Sequence, residues 1–308
     1  MHDDSSETAD AALAARRAHA KQQQIYRRRR TVAGASLLLA VLLLAFGIRA
    51  LFSGGTETTP VTLRPPAVQA TTKLVKPTLR QLEDQAVQKT LARMPLVAVA
   101  GKRNRDVALT FDDGPGPYTL RVARVLERYK VPATFFQVGQ AAKVFTDAEH
   151  AQLKDPSFVL GNHTETHGRL SSMDADQQAS ELDDAAGVIT AAGGSVPRLF
   201  RPPFGAFDHT TLGLLNRRHM LTVLWTVDSQ DYMRPGVAKI VQNVMDGVRP
   251  GAIVLMHDAG GDRSQTIAAL PQIIKKLRAK HYHLVTIPRL LYDAPPPLRQ
   301  PPIQVGVG

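Results

Sequence analysis

The 308-residue sequence contains no cysteine. That absence excludes disulfides and thiolate metal sites, so any transition metal must be held by His, Asp or Glu, while the redox compartment stays open. Aromatic residues are sparse, at 6% with one tryptophan, Trp225. A formal charge of +11 invites a nucleic-acid partner, but the clusters Lys102, Arg103, Arg105 and Arg217, Arg218 have no interleaved aromatics on which bases could stack. No nucleic-acid partner is expected. A solvated basic surface is the plain reading of the charge, with an acidic wall polymer as the next. No internal repeat is visible.

The charge is unevenly placed. Residues 1–30 hold seven Lys or Arg, including Arg27 to Arg30, against four Asp or Glu, a net +3 of the +11, which leaves +8 for the remainder. Thr31 to Ile48 then runs for 18 residues without a charge. At ~1.5 Å per residue this nearly crosses a ~30 Å hydrocarbon layer, and Leu51 and Phe52 extend it if Arg49 snorkels to the interface. A buried core helix or a cleaved signal peptide would compete, but 30 residues precede the run and Arg49 interrupts its exit. We expect a basic cytoplasmic tail over 1–30 and a transmembrane anchor over 31–52. The positive-inside rule then sets the amino terminus in the cytoplasm and the rest of this single-pass chain outside.

Residues 53–95 read as a Gly-, Thr- and Pro-rich linker with a short helix at about Leu79 to Arg93. A rhythm follows over 96–293: strand at Val107–Phe111, helix at Thr119–Tyr129, strand at Ala133–Val138, a short apolar run at Phe158–Leu160, and a capping box of Asp174 with Gln177 opening a helix that stops at Gly193-Gly194. Strands at Leu221–Val227, Ala252–Met256 and His283–Ile287 alternate with helices at Val237–Val248 and Thr266–Ala279. Such alternation predicts a parallel α/β sheet, open or closed into a barrel. Residues 294–308, rich in Pro and Gly, read as a disordered tail.

Polar clusters gather at the predicted carboxyl ends of these strands, where α/β folds place their sites. They are Thr110-Phe111-Asp112-Asp113-Gly114-Pro115, His163-Thr164-Glu165-Thr166-His167, Arg201-Pro202-Pro203-Phe204-Gly205, Trp225 through Asp231, and Leu255-Met256-His257-Asp258. Each alone reads as a turn or loop. A His pair four residues apart meets one metal ion if the stretch turns helically, since i and i+4 share a face. Together the clusters supply carboxylates, three imidazoles and an arginine, the inventory of metal-assisted hydrolysis.

These five clusters, in this order over about residues 105–290, resemble the motifs of the polysaccharide deacetylase family, the NodB-like family 4 carbohydrate esterases. The resemblance implies a distorted (β/α) barrel with fewer than eight repeats, and an enzyme that removes acetyl groups from N-acetylated sugars. It implies Asp113, His163 and His167 as ligands of a divalent metal, zinc first and cobalt or nickel as alternatives, and Asp112 as the base that activates water. Arg201 would hold that base, the main chain near Phe204 would face the oxyanion, and His257 would be the general acid, kept charged by Asp231. Leu255 would line the acetyl pocket and Tyr232 the groove wall. Many relatives have Tyr where Phe204 stands and Trp where Tyr232 stands, which bears on the sugar rather than the chemistry. An extracytoplasmic acetylated glycan is the expected partner, most simply peptidoglycan N-acetylglucosamine, with another surface polysaccharide, a chitin-like oligomer or O-acetyl esters as alternatives. A glycan-binding module that does not turn over, and a non-haem iron oxygenase, which the β/α rhythm opposes, are the competing readings.

Overall fold

The computed structural model describes residues 76–301. The expected tail and anchor at 1–52, and residues 302–308, lie outside the described residues. Among the described residues no helix is long and apolar enough to cross a membrane.

The organising strand is β2, Asp106–Asp112, buried along its whole length. A near-continuous apolar run suits a parallel strand covered on both faces. β3 (Ala133–Gln137) and β4 (Phe158–Asn162) follow on one side of it, and β8 (Ile253–His257) lies on the other. The sheet continues beyond β4 through β5 (Leu199–Phe200) and β6 (Leu221–Val223) to β1 (Leu96–Val97), and beyond β8 to β7 (Val227–Asp228). β9 (His283–Leu284) pairs with the start of β2. Every pairing of named strands is parallel. Six strands run into a helix before the next strand begins, so the parallel sheet is an incompletely closed (β/α) barrel with fewer than eight repeats. The ends β1 and β7 do not pair with each other; an antiparallel bridge from Val99 to Ala252 lies near that seam.

Alternation along the strands divides the core in two. Leu109, Phe111, Phe135 and Met256 point to one face and pack on Val122, Leu126, Ile240 and Ile273 of the surrounding helices. Ala108, Phe136, Leu199 and Ile253 point to the other, against Val87, Leu290 and Leu291. Val87 belongs to the helix Leu79–Leu91, capped by Thr78 with Gln81, so this element, which composition had grouped with the linker, is part of the packed domain. The tail reading also needs correction up to residue 301. Gln300 Oε1 accepts hydrogen bonds from the Ala98 and Val99 N–H groups at 2.8 and 3.0 Å, and Ala294 and Pro296 are buried.

The expected capping box at Asp174 and Gln177 opens the helix Ala175–Ala191, and Gly193 follows at φ +98°. The expected strand Leu221–Val227 is instead two strands, β6 and β7, joined by Leu224 to Thr226, which carry the chain from the β1 side to the β8 side. The last expected strand is confined to His283–Leu284, because Thr286 caps a helix at Ile287–Asp293 with Pro288 in its first turn.

Candidate active site

Parallel register brings the strand ends level. Asp112 stands beside His257 across β2 and β8, Gln137 beside Asn162, Asn162 beside Phe200, and Asp228 beside Leu255. The five clusters therefore open at one end of the sheet. They surround a cavity of about 630 Å³ whose walls include Asp112, Asp113, His163, His167, Trp225 and His257, a size that suits a sugar residue.

Asp113, His163 and His167 each offer a ligand atom within 4.8 Å of the others. The stretch between the two histidines does not turn helically. His163 to Gly168 form a loop after β4, and left-handed backbone at Thr164 (φ +70°) and His167 (φ +61°) makes the rings converge. Such residues cost of order 1–3 kcal/mol each and persist only where their surroundings enforce them. Here Asn162 Oδ1 accepts from the Thr164 N–H at 2.8 Å, while Gly139 and Gln140 N–H donate to the Thr164 and Glu165 carbonyls. Asp113 is itself left-handed at φ +72°.

The ring nitrogens have assignable roles. His163 Nδ1 lies 2.6 Å from the Arg201 carbonyl oxygen, which can only accept, so Nδ1 carries the proton and the Nε2 lone pair faces Asp113 Oδ1 at 3.5 Å. His167 Nε2 lies 3.0 Å from the same oxygen. Burial opposes ionisation of Asp113, but the adjoining imidazoles of His163 and His167 and the nearby His257 charge hold its pKa well below the usual carboxylate range. An anionic carboxylate between two imidazole nitrogens fits a divalent ion that accepts mixed N and O ligands. Gly260, at φ +72°, packs its backbone so near this carboxylate that a Cβ there would collide with it.

Asp112 ends β2 and is held from behind. Fully buried Arg201 donates through Nη1 to Asp112 Oδ1 at 2.7 Å and to Thr110 Oγ1 at 2.8 Å, and through Nε to the Val223 carbonyl at 3.1 Å. Burial pulls the guanidinium pKa down while Asp112 pushes it back. Its cation lies 4.2 Å from the centre of the Phe136 ring. This leaves Asp112 Oδ2 beside the ligand cluster, 3.9 Å from His163 Nε2.

His257 ends β8 and faces the cavity. Its Nδ1 lies 2.7 Å from Asp231 Oδ1, and its main-chain N–H donates to Asp231 Oδ2 at 2.9 Å. Thr266 Oγ1 donates to the same Asp231 oxygen at 2.7 Å. Burial works against an imidazolium, yet Asp231 foremost, with Asp113 and Asp112, raises the His257 pKa to about 9. Burial of Asp231 would favour its neutral acid, but the His257 charge and these hydrogen bonds lower its pKa. The pair is thus an imidazolium and a carboxylate at neutral pH.

Every candidate site residue expected from the sequence lies at this cavity or directly behind it. Leu255 is a buried wall, while Phe204 and Tyr232 remain 44% and 42% exposed at the rim. Phe204 packs edge-on against His167, and Tyr232 against His257. Trp225, Asp228, Gly260 and Arg263 also line the cavity and had not been assigned roles. Asp228 and Trp225 belong to the cluster Trp225 through Asp231; for Gly260 the pair Gly260-Gly261, following His257-Asp258-Ala259, is the local signal. Asp258 was passed over as well. It accepts from Thr119 Oγ1 at 2.5 Å, and burial raises its pKa to about 7.

Residues 100–223 match the family model for polysaccharide deacetylase, a span that ends before Asp231 and His257. The chain is 37% identical over 188 residues to a peptidoglycan-N-acetylglucosamine deacetylase of Bacillus cereus, covering 60% of this chain and 87% of that protein. It is 36% identical over 217 residues to a chitooligosaccharide deacetylase of a Bradyrhizobium species, covering 64% of this chain and 98% of the relative. Among solved structures, a peptidoglycan N-acetylglucosamine deacetylase bound to 4-naphthalen-1-yl-N-oxidanyl-benzamide superposes with a TM-score of 0.63 at 28% identity, covering 66% of this chain and 95% of that one.

Proposed function

The chain belongs to the polysaccharide deacetylase family, and on that premise we propose that it is a metal-dependent N-deacetylase of an extracytoplasmic polysaccharide, with peptidoglycan N-acetylglucosamine as its substrate. The observation that carries this is the pairing of Asp112 and His257 at one level of adjacent strands, each locked by its own buried partner, beside the Asp113, His163 and His167 cluster. A base and an acid held apart by environment, next to a ligand set, is the equipment of amide hydrolysis.

In this reading Asp113, His163 and His167 hold the ion, zinc before cobalt or nickel. When bound, a divalent ion makes water more acidic and polarises the acetamide carbonyl. Asp112 accepts the water's proton, and Arg201 keeps its carboxylate oriented. The main-chain N–H at Phe204, in the stiff Pro202–Gly205 turn, faces the oxygen that becomes negative. His257 donates a proton to the departing amine, and Asp231 stabilises its charged form until it does so. Leu255 meets the acetyl methyl group, while Phe204 and Tyr232 flank the sugar.

The first relatives carry names for two different glycans, so the substrate is tested by acetate release from a panel. Peptidoglycan strands should yield acetate faster than chitin oligomers or an O-acetylated xylan. Preference for either of the latter would overturn the peptidoglycan assignment and leave the chemistry intact.

The substrate assignment rests on placement outside the cytoplasm, supported by the arginine cluster ahead of the apolar run Thr31–Ile48. Protease added to intact cells or spheroplasts should digest the domain after residue 53 and spare residues 1–30. Full protection of the domain would contradict this topology.

A further inference from the structure

We propose that the end of the domain opposite the catalytic cavity docks onto an anionic phospholipid surface, through cations in the loops that enter the strands. Lys102, Arg103 and Arg105 stand out in the sequence but have no part in the chemistry. The topology gives them company. Because the named strands are parallel, the segments entering them gather at the amino ends of the sheet, away from the cavity.

Segments 92–95, 98–105, 130–132, 155–157, 192–198, 218–220, 248–252 and 280–282 together carry nine Lys or Arg and a single carboxylate, Asp155. Segments leaving the strands, 113–118, 138, 163–174, 201–208, 229–236 and 258–263, carry four Lys or Arg and seven Asp or Glu. Nine less one gives +8 at one end, and four less seven gives −3 at the other. The domain is therefore polarised along the direction of its strands.

The helix dipole alone favours a cation at a helix carboxyl end. It covers Lys130, Arg218 and Lys280, which are C-caps, and Arg93 and Arg249 one residue beyond a C-cap. It does not cover Lys102, Arg103, Arg105 or Arg198. Nor are these charges neutralised locally, since among the described residues only Arg218 of the nine has a carboxylate within 4.0 Å, Asp183. Eight of the nine are exposed. Arg105 donates to the Lys280 carbonyl at 3.0 Å and lies over the Tyr282 ring, which ties the 102–105 loop to the 280–282 loop.

Cations carried by separate loops across one end of a barrel meet a plane better than a single thread of polymer, which calls for a channel. An anionic bilayer is the plane that the sequence itself suggests, because the apolar run Thr31–Ile48 and the spacer 53–78 keep a membrane within reach. This step rests on the anchor reading. Docked in this way, the cavity faces away from the lipid and toward the polymer.

The test is hydrogen–deuterium exchange on the full chain reconstituted into phosphatidylcholine vesicles, with and without 30% phosphatidylglycerol. Anionic lipid should slow exchange several-fold at 102–106, 249–252 and 280–284 and leave 163–168 and 258–262 unchanged. The effect should vanish at high salt, as screening shortens the reach of exposed charges from ~8 Å at physiological ionic strength to ~3 Å at 1 M. A variant with K102E, R103E, R105E and K280E should lose the protection while releasing acetate from soluble oligomers at the wild-type rate. Equal exchange in both vesicle types would overturn the proposal, as would failure to associate with either. Protection by a soluble glycerol-phosphate polymer over neutral vesicles, at matched phosphate, would overturn it in favour of a polymer partner.

Discussion

Asp112→Asn should retain metal and lose turnover by ~100-fold or more, whereas Asp113→Ala should lose metal. The two carboxylates are neighbours in sequence, but their environments separate them. Asp112 ends a strand, and one oxygen is committed to Arg201 at 2.7 Å. Asp113 has crossed into left-handed backbone, which turns its carboxylate to the two imidazoles. An amide at 112 keeps the shape and the Arg201 contact through its oxygen but cannot take a proton, so only the chemical step suffers. An alanine at 113 removes one of the three proposed ligands, so metal affinity should fall steeply and excess zinc should restore part of the rate. Metal content of both purified variants, beside acetate release across a zinc titration, checks this. Metal-free Asp112→Asn with metal-loaded Asp113→Ala would reverse the two roles.

His257→Ala should cost ~100-fold or more in turnover at near wild-type metal content, because the amine then departs without a proton. The pH dependence carries a sharper expectation. A general acid works only while protonated, and Asp231 leads the groups that raise the His257 pKa to about 9. Activity should therefore fall as pH rises through about 9, and a cation held at Asp113 would bring that limb lower by offsetting that carboxylate's pull. A general base works only while unprotonated, so with the acid limb added the profile is bell-shaped. Stability linked to this imidazole has the same sign. With the folded pKa above the ordinary value near 6.5, its contribution is complete below that value and lost as pH rises through about 9. Asp231→Asn should shift the alkaline limb to lower pH while leaving metal content alone. An unmoved limb in that variant would remove Asp231 from the role of charge partner.

How much of this was legible in the sequence depends on how local the signal is. Val107–Phe111, Thr119–Tyr129 and the Asp174 capping box are written in apolar spacing and cap chemistry, and each element is present. β5, with two residues, and β1, likewise two, have no periodicity to read and exist through pairing with neighbours distant in sequence. The helix Ser264–Ala279 continues through Pro271, which local rules would treat as a break. At the site, residue types and order pointed to residues that the structure brings together, but the geometry of His163 and His167 did not follow from i,i+4 spacing. Left-handed Thr164 is sustained by Asn162 and by the first residues of the helix Gly139–Val144, and such tertiary support leaves no local trace. The juxtaposition of Asp112 with His257 is likewise a matter of register between strands 145 positions apart in the chain.

The most direct measurement of the central claim is acetate release from N-acetylated peptidoglycan strands by the full chain, before chelation, after chelation, and after zinc is returned. Hydrolysis at a site built from Asp113, His163 and His167 predicts release that ceases with chelator and returns with zinc. Release that continues unchanged in fully metal-stripped protein, or no release under any metal, would contradict it.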